Sequence, residues 1–171
     1  MKSLPPFDPH SGDVNVVIET PKGHRAKYHY EEQKDLYLPK SLLPEGMVFP
    51  FDFGFIPGTL GEDGDPLDIL VLIDEPAAQG SLVATRLLAV IEAEQTEDGE
   101  TKRNDRLIGV ASVSRHYRSV QSLEQLNPNL LEEIEHFFIS YSELSGKKFR
   151  PLSRAGADRA LKLIESARHP K

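Results

Sequence analysis

The spacing of apolar residues changes once along this chain of 171 residues, close to Pro128, and this change constrains the fold most. Before Pro128, short β-branched and aliphatic runs alternate with proline and glycine, which is typical of strands joined by turns. After it, apolar residues recur every three or four positions as far as Leu144, the spacing of one helix face. Asn127 is a candidate N-cap and Gly146 a candidate stop, and a second, shorter helix is predicted over 158–167.

Strands followed by helices in a chain of this length predict one α+β domain over residues 1–171. An antiparallel barrel or sandwich with two C-terminal helices packed on it fits this order. The nearly all-aliphatic run 67–73 is predicted to be a buried strand.

The composition excludes several classes of site and partner. The chain has no cysteine, which removes disulfides, thiolate zinc sites, iron–sulfur clusters and cysteine nucleophiles, and fits a reducing cytoplasm. Its net charge of −7 argues against partners that require a basic face, namely nucleic acids and anionic membranes. Residues 1–9 lack the apolar run of a signal peptide, so we expect a cytoplasmic protein.

Three carboxylates stand within six residues just before and at the start of the predicted buried strand: Asp63, Asp65 and Asp68. Gly64 permits an unusual backbone angle and Pro66 stiffens the loop, so that its carboxylates are held rather than mobile. Clustered carboxylates repel one another, and hard divalent cations bound by oxygen are their natural partners. The segment is therefore a candidate metal site, although a solvated acidic turn would show the same pattern.

The residues 63–68, followed by Ile69, resemble the signature of the soluble family I inorganic pyrophosphatases. Other segments between about residues 14 and 150 are also similar to that family: 16–19 with Pro21, 27–28, 49–50, 53–56, 135–138 with Tyr141, and 147–148. The resemblance implies a five-stranded, OB-like antiparallel β-barrel with two helices. It also implies hydrolysis of inorganic diphosphate to two phosphates with several Mg²⁺ ions.

The resemblance further implies roles for individual residues, and a homo-oligomer. Asp65 matches the carboxylate that handles the proton of the attacking water. The implied metal ligands are Asp63, Asp68, Glu19, Glu97 and Asp105. The implied phosphate-binding residues are Lys27, Lys40, Tyr141 and Arg106. Mn²⁺ or another hard divalent cation would suit the same oxygen ligands.

Several matched positions have changed in this chain. Phe49 and Phe53 stand where the family usually has tyrosine, and Lys40 stands where it usually has arginine. His29 replaces a glutamate, and Ser142 replaces the lysine that follows the helix tyrosine. These changes remove phosphate contacts more than metal contacts.

The second acidic segment, 97–106, has two readings. Either Glu97 or Asp98 supplies its first carboxylate. Asp105 supplies the second in one register, but a register anchored on Arg106 puts the neutral amide of Asn104 at that position.

Three hypotheses follow, and Mg²⁺-dependent hydrolysis of inorganic diphosphate is the preferred one. The second keeps the chemistry but acts on an organic phosphoanhydride, with Phe49 and Phe53 lining a less polar pocket. The third is a non-catalytic relative that only binds.

Overall fold

The computed structural model describes residues 4–31 and 33–168, and these form nine strands, two α-helices and a 3-10 turn at Leu123–Gln125. The first five strands are β1 (Val14–Thr20), β2 (Ala26–Glu31), β3 (Leu36–Leu42), β4 (Asp52–Phe55) and β5 (Asp68–Leu72). The remaining elements are β6 (Leu82–Glu97), β7 (Glu100–Arg103), β8 (Arg106–Ala111), α1 (Pro128–Leu144), β9 (Lys148–Gly156) and α2 (Ala157–Ala167). In the same residues, no helix is both long and apolar enough to cross a membrane.

Five of the strands form a closed ring. β1 pairs with β4, β4 with β5, β5 with β8, β8 with β6, and β6 pairs back with β1. The predicted α+β class and the five-stranded barrel are therefore confirmed. The antiparallel prediction is wrong at one place, because β5 and β8 run parallel with Ile69 opposite Leu107. This pairing places the residues that begin the two strands, Asp68 and Arg106, side by side.

Strand β5 separates two hydrophobic clusters because successive side chains point to opposite faces. Leu70 and Leu72 join the cluster that α1 covers, together with Phe138 of that helix. Ile69 and Val71 join the cluster that α2 covers. This two-sided burial explains the almost uninterrupted aliphatic run in the sequence.

The two helices confirm the change of apolar spacing. α1 begins at Pro128, and the side chain of Asn127 accepts a hydrogen bond from the backbone N–H of Asn129, as an N-cap does. α2 begins one residue before the predicted start and ends at Ala167 as predicted. The C-terminal end of α2 is joined to the loop between β4 and β5, because the backbone N–H of Leu60 donates to the carbonyl of Ala167 at 2.8 Å.

Two pairings outside the ring extend the barrel. β2 and β3 form a separate hairpin, which stands beside β1. β9 pairs with eight residues of the long strand β6 and carries the chain from α1 to α2. The hairpin and the end of α1 bring basic and aromatic side chains to the same end of the barrel as the loop that carries Asp63 and Asp65, here called the acidic loop.

Candidate active site

A cavity of about 830 Å³ opens at this end of the barrel and contains nine of the ten site residues predicted from the sequence. Its charged lining has six carboxylates and four cationic groups. The carboxylates belong to Glu19, Glu31, Asp63, Asp65, Asp68 and Glu97. The cationic groups belong to Lys27, Lys40, Arg106 and Lys147, and the rest of the lining includes His29, Asn104 and Tyr141.

The acidic loop is held in shape by its own hydrogen bonds. The backbone N–H of Asp65 donates to the Asp63 carboxylate at 3.1 Å, and that of Gly61 donates to the Asp65 carbonyl at 2.8 Å. Gly64 has a φ of 92°, which a side chain would strain. Asp63 and Asp65 are exposed at the mouth of the cavity, and partial burial raises the pKa of the Asp63 carboxyl above its ordinary value.

Asp68 lies deeper than the two loop carboxylates and is ion-paired. Its Oδ2 accepts a hydrogen bond from Nη1 of Arg106 at 2.6 Å. The same nitrogen also donates to the side-chain oxygen of Asn104 and, at 3.2 Å, to the carbonyl of Asp105. The guanidinium carbon lies 4.9 Å from the ring centre of Phe138, within the range of a cation–π contact.

Glu19 lies behind the loop at the end of β1 and is 8% exposed. Its Oε1 accepts a hydrogen bond from the backbone N–H of Tyr30 at 2.9 Å. Burial raises the pKa of Glu19 to about 7, and the neighbouring Asp68 carboxylate acts in the same direction. A bound cation or another nearby positive charge would stabilise the ionised form of the Glu19 carboxylate.

Lys27 and Tyr141 come from different elements and meet on one side of the cavity. The Lys27 ammonium lies 5.4 Å from the centre of the Tyr141 ring and 5.2 Å from that of Phe53. Burial alone would lower the pKa of Lys27, but its Tyr141 and Asp68 neighbours outweigh this effect, so the pKa lies above its ordinary value. Lys27 therefore presents a positive charge to the acidic side of the cavity.

The structure places Asn104, and not Asp105, in the cavity lining. The Asp105 carboxylate accepts hydrogen bonds from the backbone N–H of Ala93 at 2.9 Å and from Arg103 at 2.7 Å. The predicted metal ligand Asp105 is therefore not brought to the other ligands. Residues 104 and 106 lie two positions apart, and side chains at that spacing point to the same side of an extended chain.

Glu97 reaches the cavity, whereas Asp98 lines only a smaller adjoining pocket of about 420 Å³. Lys147 follows the end of α1, and its ammonium lies 2.8 Å from the Glu97 carboxylate. Lys147 is a site residue that was not predicted from the sequence. The sequence feature that could have indicated a site role is the position of Lys147 directly after Gly146, where the chain turns from α1 back to the barrel.

Phe49 and Phe53 do not line the cavity. Each is 1% exposed, and they pack against one another with ring centres 5.5 Å apart. The premise of the organic-phosphoanhydride hypothesis, a less polar pocket lined by these rings, is therefore wrong. Ser142 is also buried, at 1% exposure, so no group at this position replaces the missing lysine in the cavity.

The acidic side chains fit a hard divalent cation in their chemistry, because all of them offer carboxylate oxygen. Over residues 4–31 and 33–168, however, no three carboxylate or imidazole groups already converge on one point that could hold a metal ion. The loop carboxylates of Asp63 and Asp65 are exposed, while Asp68 already has a cationic partner in Arg106.

The cavity at the end of the barrel combines carboxylate oxygens with lysine ammonium groups. This combination is typical of proteins that bind anions together with cations. The inorganic pyrophosphatase family model matches residues 16–170. The inorganic pyrophosphatase of Methanosarcina acetivorans is 36% identical over 154 residues, which cover 90% of this chain and 89% of that protein. That of Aquifex pyrophilus is 37% identical, with 86% and 82% covered.

The fold gives the same result. The crystal structure of the inorganic pyrophosphatase from Thermus thermophilus has a TM-score of 0.87 and 32% sequence identity, covering 97% of this chain and 95% of that one. The chain described here belongs to the inorganic pyrophosphatase family.

Proposed function

We propose that this protein hydrolyses inorganic diphosphate to two phosphates and that Mg²⁺ is its cation. Family membership supports the reaction. The observation that carries it is that one cavity holds both the carboxylates of Asp63, Asp65 and Asp68 and the ammonium groups of Lys27 and Lys40. Diphosphate needs both, because its oxygens require positive charge and the attacking water requires a base.

The carboxylates of Asp63, Asp68, Glu97 and Glu19 are the groups that would hold Mg²⁺. A bound divalent cation lowers the pKa of a coordinated water and neutralises charge on the phosphates. Asp105 is not included, because its carboxylate is bonded to Arg103 and Ala93 outside the cavity.

Asp65 is the proton acceptor of this proposal. It is exposed in the cavity, where its carboxylate can receive the proton of the attacking water, and its loop is fixed by the hydrogen bonds around Gly61. Lys27, Lys40 and Tyr141 line the same cavity and bind and orient the phosphates. Lys147 adds a further positive charge to the cavity beside the Glu97 carboxylate, whereas the buried Ser142 adds none.

Phosphate release from the purified protein tests the proposal. With Mg²⁺ present, we expect release from inorganic diphosphate that exceeds release from nucleoside triphosphates and sugar diphosphates under the same conditions. Release only from one of the organic compounds would refute the substrate. No release from any of them would favour a relative that binds without catalysis. We also expect a homo-oligomer, which light scattering measures directly.

A further inference from the structure

We propose that the guanidinium of Arg106 takes the place of one divalent cation, at the position between Asp68 and Asn104. The chain would then bind one cation fewer there than its carboxylates could otherwise hold. This inference rests on the proposed function, because it concerns the cations of the same cavity.

The oxygens around Arg106 are those that a hard cation would use. Its Nη1 contacts a carboxylate oxygen of Asp68 at 2.6 Å, the amide oxygen of Asn104, and the carbonyl oxygen of Asp105 at 3.2 Å. Carboxylate, amide and carbonyl oxygens are the usual ligands of Mg²⁺ and Ca²⁺. The two N–H groups of one guanidinium nitrogen are thus shared among three oxygens that lie around a single point.

Arg106 is held firmly at this point. It is 3% exposed, and its guanidinium carbon lies 4.9 Å and 5.4 Å from the ring centres of Phe138 and Phe149. Arginine stays charged at all accessible pH values, so the charge cannot be lost by deprotonation. The parallel pairing of β5 with β8 fixes Arg106 beside Asp68, since Ile69 lies opposite Leu107.

The charges nearby favour a monovalent group over a divalent one. Asn104 contributes a neutral oxygen, and the next carboxylate along the chain, Asp105, is bonded to Arg103 at 2.7 Å on the other side. Asp68 is therefore the carboxylate that contacts Arg106 directly, and Asp63 lies near enough to interact with the guanidinium as well. A divalent cation at the same point would meet a fixed positive charge and only one carboxylate in direct contact, which is an unfavourable arrangement.

An alternative role for Arg106 makes the opposite prediction. If Arg106 only orients Asp68 so that this carboxylate binds a cation, removing the arginine would weaken cation binding, as the loss of outer partners of metal ligands does. If Arg106 replaces a cation, removing it would strengthen binding or add a site. The sign of the change therefore distinguishes the two roles.

Mn²⁺ binding without substrate, followed by the electron paramagnetic resonance signal of free Mn²⁺, measures this sign. For Arg106→Met, we expect one additional Mn²⁺ per chain or binding at least about 10-fold tighter than in the wild type. Arg106→Lys keeps the charge and should bind Mn²⁺ as the wild type does. Arg103→Met removes an arginine from a carboxylate outside the cavity, and it should also leave Mn²⁺ binding unchanged. Wild-type or weaker binding by Arg106→Met would overturn the proposal.

The wild-type protein provides a second test that does not depend on the folding of a variant. In crystals soaked with MnCl₂, anomalous scattering should place Mn²⁺ at the acidic loop and none in contact with both Asp68 Oδ2 and Asn104. A Mn²⁺ ion bound there, with Arg106 displaced, would refute the inference. Neither measurement requires turnover, so failure of this inference is distinct from failure to release phosphate from diphosphate.

Discussion

Asp52 is a buried carboxylate outside the cavity, and its removal gives a sharp prediction about stability. The residue is 0% exposed, at the start of β4. Its Oδ1 accepts a hydrogen bond from the backbone N–H of Lys22 at 2.7 Å, and its Oδ2 accepts one from that of Ala77 at 2.8 Å. One side chain therefore joins the turn after β1 and the loop before β6 to the barrel.

Replacing Asp52 with alanine leaves the partly buried backbone N–H groups of Lys22 and Ala77 without this acceptor. A fully buried unsatisfied group costs about 1–3 kcal/mol, so the loss for the two groups is at most roughly 2–6 kcal/mol. Because the buried carboxylate is itself unfavourable, its removal offsets part of this loss, and we expect about 2–4 kcal/mol. Asp52→Asn keeps one acceptor and should lose roughly half as much.

Urea unfolding followed by circular dichroism measures these free energies. Glu133→Ala is the matched control, because Glu133 is an exposed carboxylate on α1 and its loss should change the free energy of unfolding by less than about 0.5 kcal/mol. A free energy of unfolding for Asp52→Ala within about 0.5 kcal/mol of the wild type would refute the reasoning.

The pH dependence of the same difference provides an independent check. Burial raises the pKa of Asp52 above 3.8, against the two backbone hydrogen bonds that lower it. The folded state then binds the proton more tightly than the unfolded state, so Asp52 contributes more stability as the pH falls through its folded pKa. The stability advantage of the wild type over Asp52→Asn should therefore grow as the pH is lowered from 7 towards 4. A shrinking advantage would mean that the hydrogen bonds outweigh burial.

Four further changes have expected outcomes. Asp65→Asn should lower kcat for diphosphate by at least about 100-fold without unfolding the protein, as phosphate release and circular dichroism would show. Lys27→Met removes a charged phosphate contact worth about 1.5–3 kcal/mol, so kcat/KM should fall roughly 10- to 150-fold. Chelation of divalent cations should abolish phosphate release, and added Mg²⁺ should restore it. Arg154→Ala breaks a two-bond ion pair with Glu135, at 2.7 and 2.8 Å, which joins β9 to α1; thermal unfolding should show a loss of about 1 kcal/mol that decreases at high salt.

The two helices and the buried strand β5 could be predicted from the sequence because each has a strong local pattern. The helix face from Leu130 to Leu144 is regular, and β5 is almost wholly aliphatic. Strand β9 was not predicted, since its sequence includes Pro151 and several exposed polar residues. It forms because β6 offers a long edge, and a pairing of that kind depends on residues distant in the sequence.

The sequence pattern contained the information to choose between Asn104 and Asp105 as the residue that faces the cavity, but it did not make the choice by itself. Only the side chain at 104 lies on the same side as Arg106, and the alternation of an extended chain contains that information. It selects Asn104 only once Arg106 is known to face the cavity. Residue type alone favours Asp105, because a carboxylate is a more usual metal ligand than an amide.

The parallel pairing of β5 and β8 is the feature of the site that lies furthest from any local pattern. Local residue preferences do not fix whether two strands run parallel, and Asp68 and Arg106 are 38 residues apart. The pairing nevertheless decides what the site can do, because it places a fixed guanidinium against the deepest carboxylate of the cavity. In an antiparallel arrangement the beginnings of the two strands would lie at opposite ends of the barrel. Asp68 would then have no arginine beside it, and its carboxylate would be left to a cation from solution.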